Sequence, residues 1–175
     1  MSRSLEKSAA TYDLAAKLAA DPTTNLENNA MAFVSGRVYS MKGDSYDAFE
    51  EYAKAVEAYK RSVSYYRENN SYQWVLKLAE VQGTLADVYK KQGDYANAYD
   101  VYSELRATYV GLTDVKNSAK TKENIGYVLF KQGKYAEAIR MYRHVDTLYR
   151  TLNQPARSSY CLSQIGEIYS NTGNY

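Results

Sequence analysis

Very little in this chain could do covalent chemistry. Its 175 residues include one cysteine, Cys161, and one histidine, His144. A lone cysteine excludes an intrachain disulfide and fits a reducing compartment, so a cytoplasmic location is expected. A lone histidine with no second His or Cys at ligand spacing gives no metal site, and none is expected. Two prolines and nine glycines leave few breaks in a chain rich in Ala, Leu, Glu, Lys and Tyr, so helix is favoured throughout. No run of roughly 18 apolar residues is present, which excludes a helix that spans a membrane. The opening segment, Met1 to Lys7, lacks the apolar h-region of a secretory signal. The formal net charge is only +2, so nothing demands nucleic acid or an anionic membrane as partner.

What the chain has in plenty is tyrosine, twenty of them, and internal repetition. Gly93, Gly133 and Gly173 stand at a fixed spacing of 40 residues, each inside a near-copy of one phrase. The first copy reads Val88-Tyr89-Lys90-Lys91-Gln92-Gly93-Asp94-Tyr95-Ala96-Asn97-Ala98. The second reads Val128-Leu129-Phe130-Lys131-Gln132-Gly133-Lys134-Tyr135-Ala136-Glu137-Ala138. The third runs from Ile168 and Tyr169 through Gly173 to Tyr175, and a looser copy upstream runs from Val38 and Tyr39 to Gly43, then Asp47, Ala48 and Phe49. Repetition at such a period marks a solenoid.

Between the glycines, apolar residues recur at three- and four-residue steps, the period of a helix with one buried stripe. Leu78, Val81, Leu85, Val88 and Tyr89 make one stripe; Tyr95, Ala98, Tyr99, Tyr102, Leu105 and Tyr109 make the next. Gly93 lies between them, where a helix end wants positive φ, and Asp94 is placed to cap the following helix. The pattern predicts helices over 4–20, 25–42, 45–68, 72–92, 95–112, 115–132, 135–152 and 155–172. Breaks fall at Asp21-Pro22, Asn69-Asn70-Ser71, Leu112-Thr113-Asp114 and Asn153-Gln154-Pro155. Gly43 to Gly93 spans 50 residues, and the extra ten are expected to lengthen the helix carrying Tyr59, Val63, Tyr65 and Tyr66.

These residues carry a resemblance to tetratricopeptide repeat (TPR) proteins. That family sets a small residue seven before the turn and a large one four before it. An aromatic follows two after the turn, Ala five after and another aromatic nine after. Here one repeat supplies Ala86, Tyr89, Gly93, Tyr95, Ala98 and Tyr102. The next supplies Gly126, Leu129, Gly133, Tyr135, Ala138 and Tyr142. The upstream copy supplies Gly36, Tyr39, Gly43, Ala48 and Tyr52, with Ser45 departing from the aromatic, and the last supplies Gly166, Tyr169, Gly173 and Tyr175. The resemblance implies an all-α fold, an α-solenoid of stacked antiparallel helix pairs in a right-handed superhelix. The expected organisation is one repeat domain over 1–175. It begins with a leading helix at 1–23, continues with repeats at 25–70, 72–113 and 115–153, and ends in an incomplete repeat at 155–175. The 40-residue period is similar to the long-helix repeats of kinesin light chains, cell-polarity adaptors and regulatory domains of bacterial signalling proteins, and more distantly to the NSF attachment proteins.

No residue set builds an active site, and no enzyme or cofactor is expected. His144 shares a helix with Arg140 and Asp146 and reads as a solvated residue, and Cys161 reads as a structural or free thiol. Glu50 and Glu51 are adjacent on a helix and point apart, so they make no acid–base pair. Gly83-Thr84-Leu85 has no phosphate-loop spacing. The basic set Lys131, Lys134, Arg140, Arg143 and Arg150 is interrupted by Glu137 and Asp146 and spread over several faces, so no nucleic-acid surface is expected.

The resemblance implies that the first helix of each pair lines a concave groove where a partner lies. Offsets from the glycines then give Phe33, Val34, Arg37 and Met41; Glu80, Thr84, Asp87, Lys90 and Lys91; Lys120, Glu123, Asn124, Tyr127 and Lys131; and Tyr160, Gln164, Glu167 and Asn171. From these, the expected partner-binding residues are Arg37, Thr84, Asp87, Lys91, Glu123, Asn124, Tyr127, Lys131, Gln164 and Glu167. Asn124 and Gln164 hold matching places, where side-chain amides can pair with the backbone of an extended peptide. The dicarboxylate clamp of chaperone-binding members is not matched.

At the ends, Ala9, Ala10, Ala15, Ala16, Ala19 and Ala20 read as the second member of a pair. The face of Leu162, Ile165, Ile168 and Tyr169 is expected to lack its cover, so that a longer array or self-association would supply it. The expected function is a non-enzymatic protein-interaction scaffold that takes a peptide or helix in the groove, as the regulatory segment of a larger signalling protein. The alternative is an assembly or trafficking adaptor of the NSF-attachment type that uses edge or convex surfaces such as Arg140 and Arg143.

Overall fold

A computed structural model describes residues 2–19 and 28–173. Over these the chain is all helix, of the TPR-like solenoid class that the repeats predict. The helices are α1 (Ser2–Ala19), α2 (Asn28–Ala48), α3 (Tyr52–Tyr66), α4 (Tyr72–Gln92), α5 (Tyr95–Gly111), α6 (Val115–Lys131), α7 (Tyr135–Thr151) and α8 (Pro155–Thr172). They fall into two compact units, residues 1–93 and 94–175. In the first, α1 packs on α2, α2 on α3 and α3 on α4; in the second, α5 packs on α6, α6 on α7 and α7 on α8. The expected break at Asp21-Pro22, together with Ala20 and Tyr175, lies outside the described residues.

The punctuation follows backbone chemistry. Gly93, Gly133 and Gly173 all take positive φ, between 68° and 77°, the left-handed region that a side chain disfavours. Asp94 caps α5 as expected, its carboxylate accepting the Asn97 amide N–H at 3.1 Å. Asp114 caps α6 in the same way through Asn117 at 3.0 Å. Each cap satisfies one of the amides that a helix start leaves without a partner and is worth about 1 kcal/mol.

The first repeat departs from expectation. Gly43 is not a turn residue: α2 runs through it to Ala48, and the chain turns at Glu50, whose φ is 60°. α3 is the shortest helix at 15 residues, while α2 and α4 have 21 each, so the extra length goes into the first helices of the pairs and not into the helix of Tyr59. The upstream copy is therefore shifted by seven positions. Counted from Glu50, the family pattern reads Gly43, Tyr46, Tyr52, Ala55 and Tyr59. Gly43 holds the small position, and the Tyr59 ring lies where a Cβ would be, 2.6 Å from its ideal site. Gly126 and Tyr142 repeat this in the second unit, at 3.1 Å.

Those rings are the core. Tyr59, Tyr66, Tyr102, Tyr142 and Tyr149 are fully buried among Ala55, Ala98 and Ala138, which let the helices close in. Each buried ring contributes a few kcal/mol. In the first unit Phe33, Tyr66 and Trp74 add an edge-to-face aromatic cluster with centroids 5.3–6.2 Å apart. The face of α8 expected to lie open is largely covered. Ile168 is fully buried and Ile165 nearly so, because α8 sets them against α7, and Leu162 alone of the apolar set is exposed.

Candidate functional site

In the first unit, α2 and α4 present side chains to a cleft of about 320 Å³. Phe33, Arg37, Met41 and Asp44 come from α2, Lys77 and Glu80 from α4, and the Tyr66 ring from α3. Arg37 is exposed and makes no ion pair among the described residues. Its charge opposes a rise in the Tyr66 phenol, which burial and the Glu80 carboxylate push up to about 12. Glu80 accepts a bond from Lys77 at 2.6 Å. The remaining expected residues of this unit are engaged. The Thr84 hydroxyl donates to the Glu80 carbonyl at 3.2 Å, Asp87 accepts from Lys90 at 2.7 Å, and Lys91 ties α4 to α2 through Asp47 at 2.6 Å.

Counting from Glu50 changes which residues correspond. Asp44 is the counterpart of Asp87, Tyr127 and Glu167, and Met41 that of Thr84, Asn124 and Gln164, whereas Arg37 was placed by an offset from Gly43. Asp44 was missed. The signal for it was in the sequence, since Tyr52, Ala55 and Tyr59 repeat the spacing of Tyr95, Ala98 and Tyr102. Asp44 accepts the Tyr59 hydroxyl at 2.6 Å.

In the second unit, α6 and α8 carry the rest. Asn124 is half-buried, and its amide has no hydrogen-bond partner among the described residues. About two helical turns on, the Lys131 ammonium lies 5.3 Å from the centre of the Tyr127 ring and equally far from Phe130. On α8, Gln164 donates to Glu167 at 3.1 Å. Burial raises the Tyr160 phenol, with Glu123, Tyr127 and Glu167 adding to the rise, so these groups lie within electrostatic reach of one another. Glu123 is tied down, since both its oxygens accept from Arg157 at 3.2 Å and its side chain is only 14% exposed. Beneath them the Tyr142 hydroxyl is buried with no partner. The corresponding hydroxyl of Tyr59 has Asp44, but the α6 position that would supply such a carboxylate is Tyr127.

Cys161 is buried, and burial pushes its thiol up to about 12. No group of three or more His, Cys, Asp or Glu able to hold a metal occurs among the described residues, and no described helix is long and apolar enough to cross a membrane. Three of the basic set are engaged separately: Lys134 sits over Tyr99, Arg143 donates to the Tyr169 hydroxyl at 3.1 Å, and Arg150 pairs with Asp146.

Paired helices closed by small-residue–tyrosine contacts, with a polar face on the first helix of each pair, define a helical repeat protein of the binding kind. Tetratricopeptide repeat profiles match residues 36–69 and 77–151, together more than half of the chain, and the chain belongs to that family. No curated protein matches the sequence. Among solved structures it is similar to aspartyl phosphate phosphatase F of Bacillus subtilis, at 14% identity and a TM-score of 0.67, covering 83% of this chain and 39% of that one. It is similar to the apo form of RapI at 13% identity and a TM-score of 0.78, covering 99% and 45%. It is also similar to the Rap conjugation gene regulator of the plasmid pLS20, solved in complex with the Phr* peptide, at 14% identity and a TM-score of 0.54, covering 99% and 51%. The chain thus spans about half the length of these proteins or less, and at such identities the likeness is one of fold.

Proposed function

We propose that this protein is a non-enzymatic scaffold that binds an extended segment of a protein partner along the first helices of its repeats, as the regulatory segment of a larger signalling protein. The observation that carries this reading is the Asn124 amide, which is half-buried and unpaired. Nearby on α6 lie Tyr127 and Lys131, and Gln164 holds the matching place on α8. An amide that both donates and accepts suits peptide backbone, and at a half-buried position it remains within reach of a ligand. The Tyr142 hydroxyl beneath is buried without a partner. The pLS20 regulator, similar in fold, is in complex with a peptide. No catalytic constellation supports an activity of the chain's own.

The test is affinity capture with the wild type and with an Asn124→Ala/Tyr127→Ala variant of unchanged helicity, followed by titration of synthetic segments of the captured partner. A tenfold or greater weakening in the variant, about 1.4 kcal/mol, is expected. Equal capture and equal affinity would refute the groove reading.

A further inference from the structure

A second concavity lies in the residue 94–175 unit among α5, α6 and α7, with a volume of about 480 Å³. Its charged lining is Arg106 from α5, Lys122 from α6, and Arg140, His144 and Glu137 from α7, over Leu129, Met141 and Tyr99. Neither Arg106 nor Arg140 has an ion-pair partner among the described residues. The Lys122 ammonium donates to His144 Nε2 at 2.9 Å, so it too rests on a neutral group and not on a carboxylate. Three cations against the single carboxylate of Glu137 leave a local charge of about +2 with His144 neutral. Like charges gathered without counter-charge oppose folding, and a bound anion would relieve them.

We propose that the pocket formed by Arg106, Lys122, Arg140 and His144 binds a phosphate monoester, carried either by a phosphorylated side chain of a partner or by a free small molecule. Such a group carries close to two negative charges at neutral pH and three acceptor oxygens. Two guanidinium forks and an ammonium supply the donors that fit it. The surroundings of His144 agree. Burial and then the charges of Lys122 and Arg106 hold its imidazole below the ordinary range, and burial and Arg106 lower Lys122. An anion in the pocket would cancel that repulsion and draw the Lys122 ammonium away from Nε2, so that His144 could take up a proton there and donate. Binding and protonation of His144 are therefore linked with positive sign.

His144 is the only histidine, so its ring signals in a proton–carbon correlation spectrum need no assignment. The experiment titrates them against pH in chloride and in inorganic phosphate at equal ionic strength, then with glycerol phosphate, a short phosphoserine peptide and succinate. The expected result is a rise of about one pH unit in the His144 midpoint with phosphate and with at least one monoester, a tenfold coupling. The tighter of the two monoesters identifies the source. In an Arg106→Gln/Lys122→Gln variant the response should vanish, and the midpoint in chloride should itself rise toward the ordinary value. Identical curves in chloride and phosphate, a response to inorganic phosphate with neither monoester, or an equal response to succinate would each overturn the proposal.

Discussion

Replacing Gly43 by Ala tests the architecture of the first repeat. Gly43 lies inside α2, where Ala is intrinsically better than Gly by about 1 kcal/mol. Against that gain stands the Tyr59 ring. A Cβ would lie 2.6, 2.7 and 2.8 Å from its Cε1, Cδ1 and Cζ atoms. The ring cannot swing aside easily, since it is fully buried and its hydroxyl is held by Asp44 at 2.6 Å. Overpacking of this kind costs about 1–3 kcal/mol and so cancels the gain or exceeds it by up to about 2 kcal/mol, a loss of up to a few degrees of Tm in a chain of this size.

Gly166 supplies the control. It lies inside α8 with nothing within 4 Å of its notional Cβ, so Gly166→Ala should gain up to about 1 kcal/mol. The assay is urea and thermal unfolding followed by far-UV circular dichroism. A turn glycine at position 43 would also be harmed by Ala, but through φ and not through Tyr59. Repeating the substitution on a Tyr59→Leu background separates the two. If the ring is the cause, the cost of Gly43→Ala falls by about 1 kcal/mol or more in that background. Additive effects, or stabilisation by Gly43→Ala alone, would refute the close-approach argument.

Two further substitutions follow from pairings in the two units. Tyr142→Phe should be neutral or stabilising by about 1 kcal/mol, because it removes a buried hydroxyl without a partner, whereas Tyr59→Phe should cost about 1 kcal/mol through loss of the bond to Asp44, as paired urea melts would show. Asp146 accepts from Ser158 and Arg150, which outweigh burial and hold its carboxyl below the ordinary range. A depressed folded pKa gives stability that is present above about pH 4 and lost as pH falls through the folded value. The Tm gap between wild type and Asp146→Asn should therefore be widest near neutrality and close in acid; a gap independent of pH would count against the pairing.

The helical faces and most helix boundaries were legible in the sequence, because a 3.6-residue period survives modest errors of alignment. That same tolerance hid the first turn. Seven residues are nearly two helical turns, so a copy placed seven positions early keeps its small and aromatic residues on the right face. The usual correction is a glycine at the turn, but Glu50 takes positive φ without being one, as Thr113 and Asn153 do between pairs. Position thus failed where face did not, and Arg37 was selected in place of Asp44.

The candidate site was legible to the same depth. Offsets from the turns could name the side chains on the first helices, but not which of them are already spoken for. Lys91 is engaged by a carboxylate 44 positions away and Glu123 by a guanidinium 34 positions away, distances at which sequence spacing is silent. The informative positions are those where the repeat departs from itself. Asp44 satisfies the tyrosine beneath it in the first unit, and Tyr127 at the same place in the second leaves Tyr142 without an acceptor. The residues that build the repeat recur because every pair must close in the same way. A site that recognises one partner has to be made from what does not recur, and in this chain the candidates are the Asn124 amide and the Tyr142 hydroxyl, which has lost the acceptor its counterpart Tyr59 keeps.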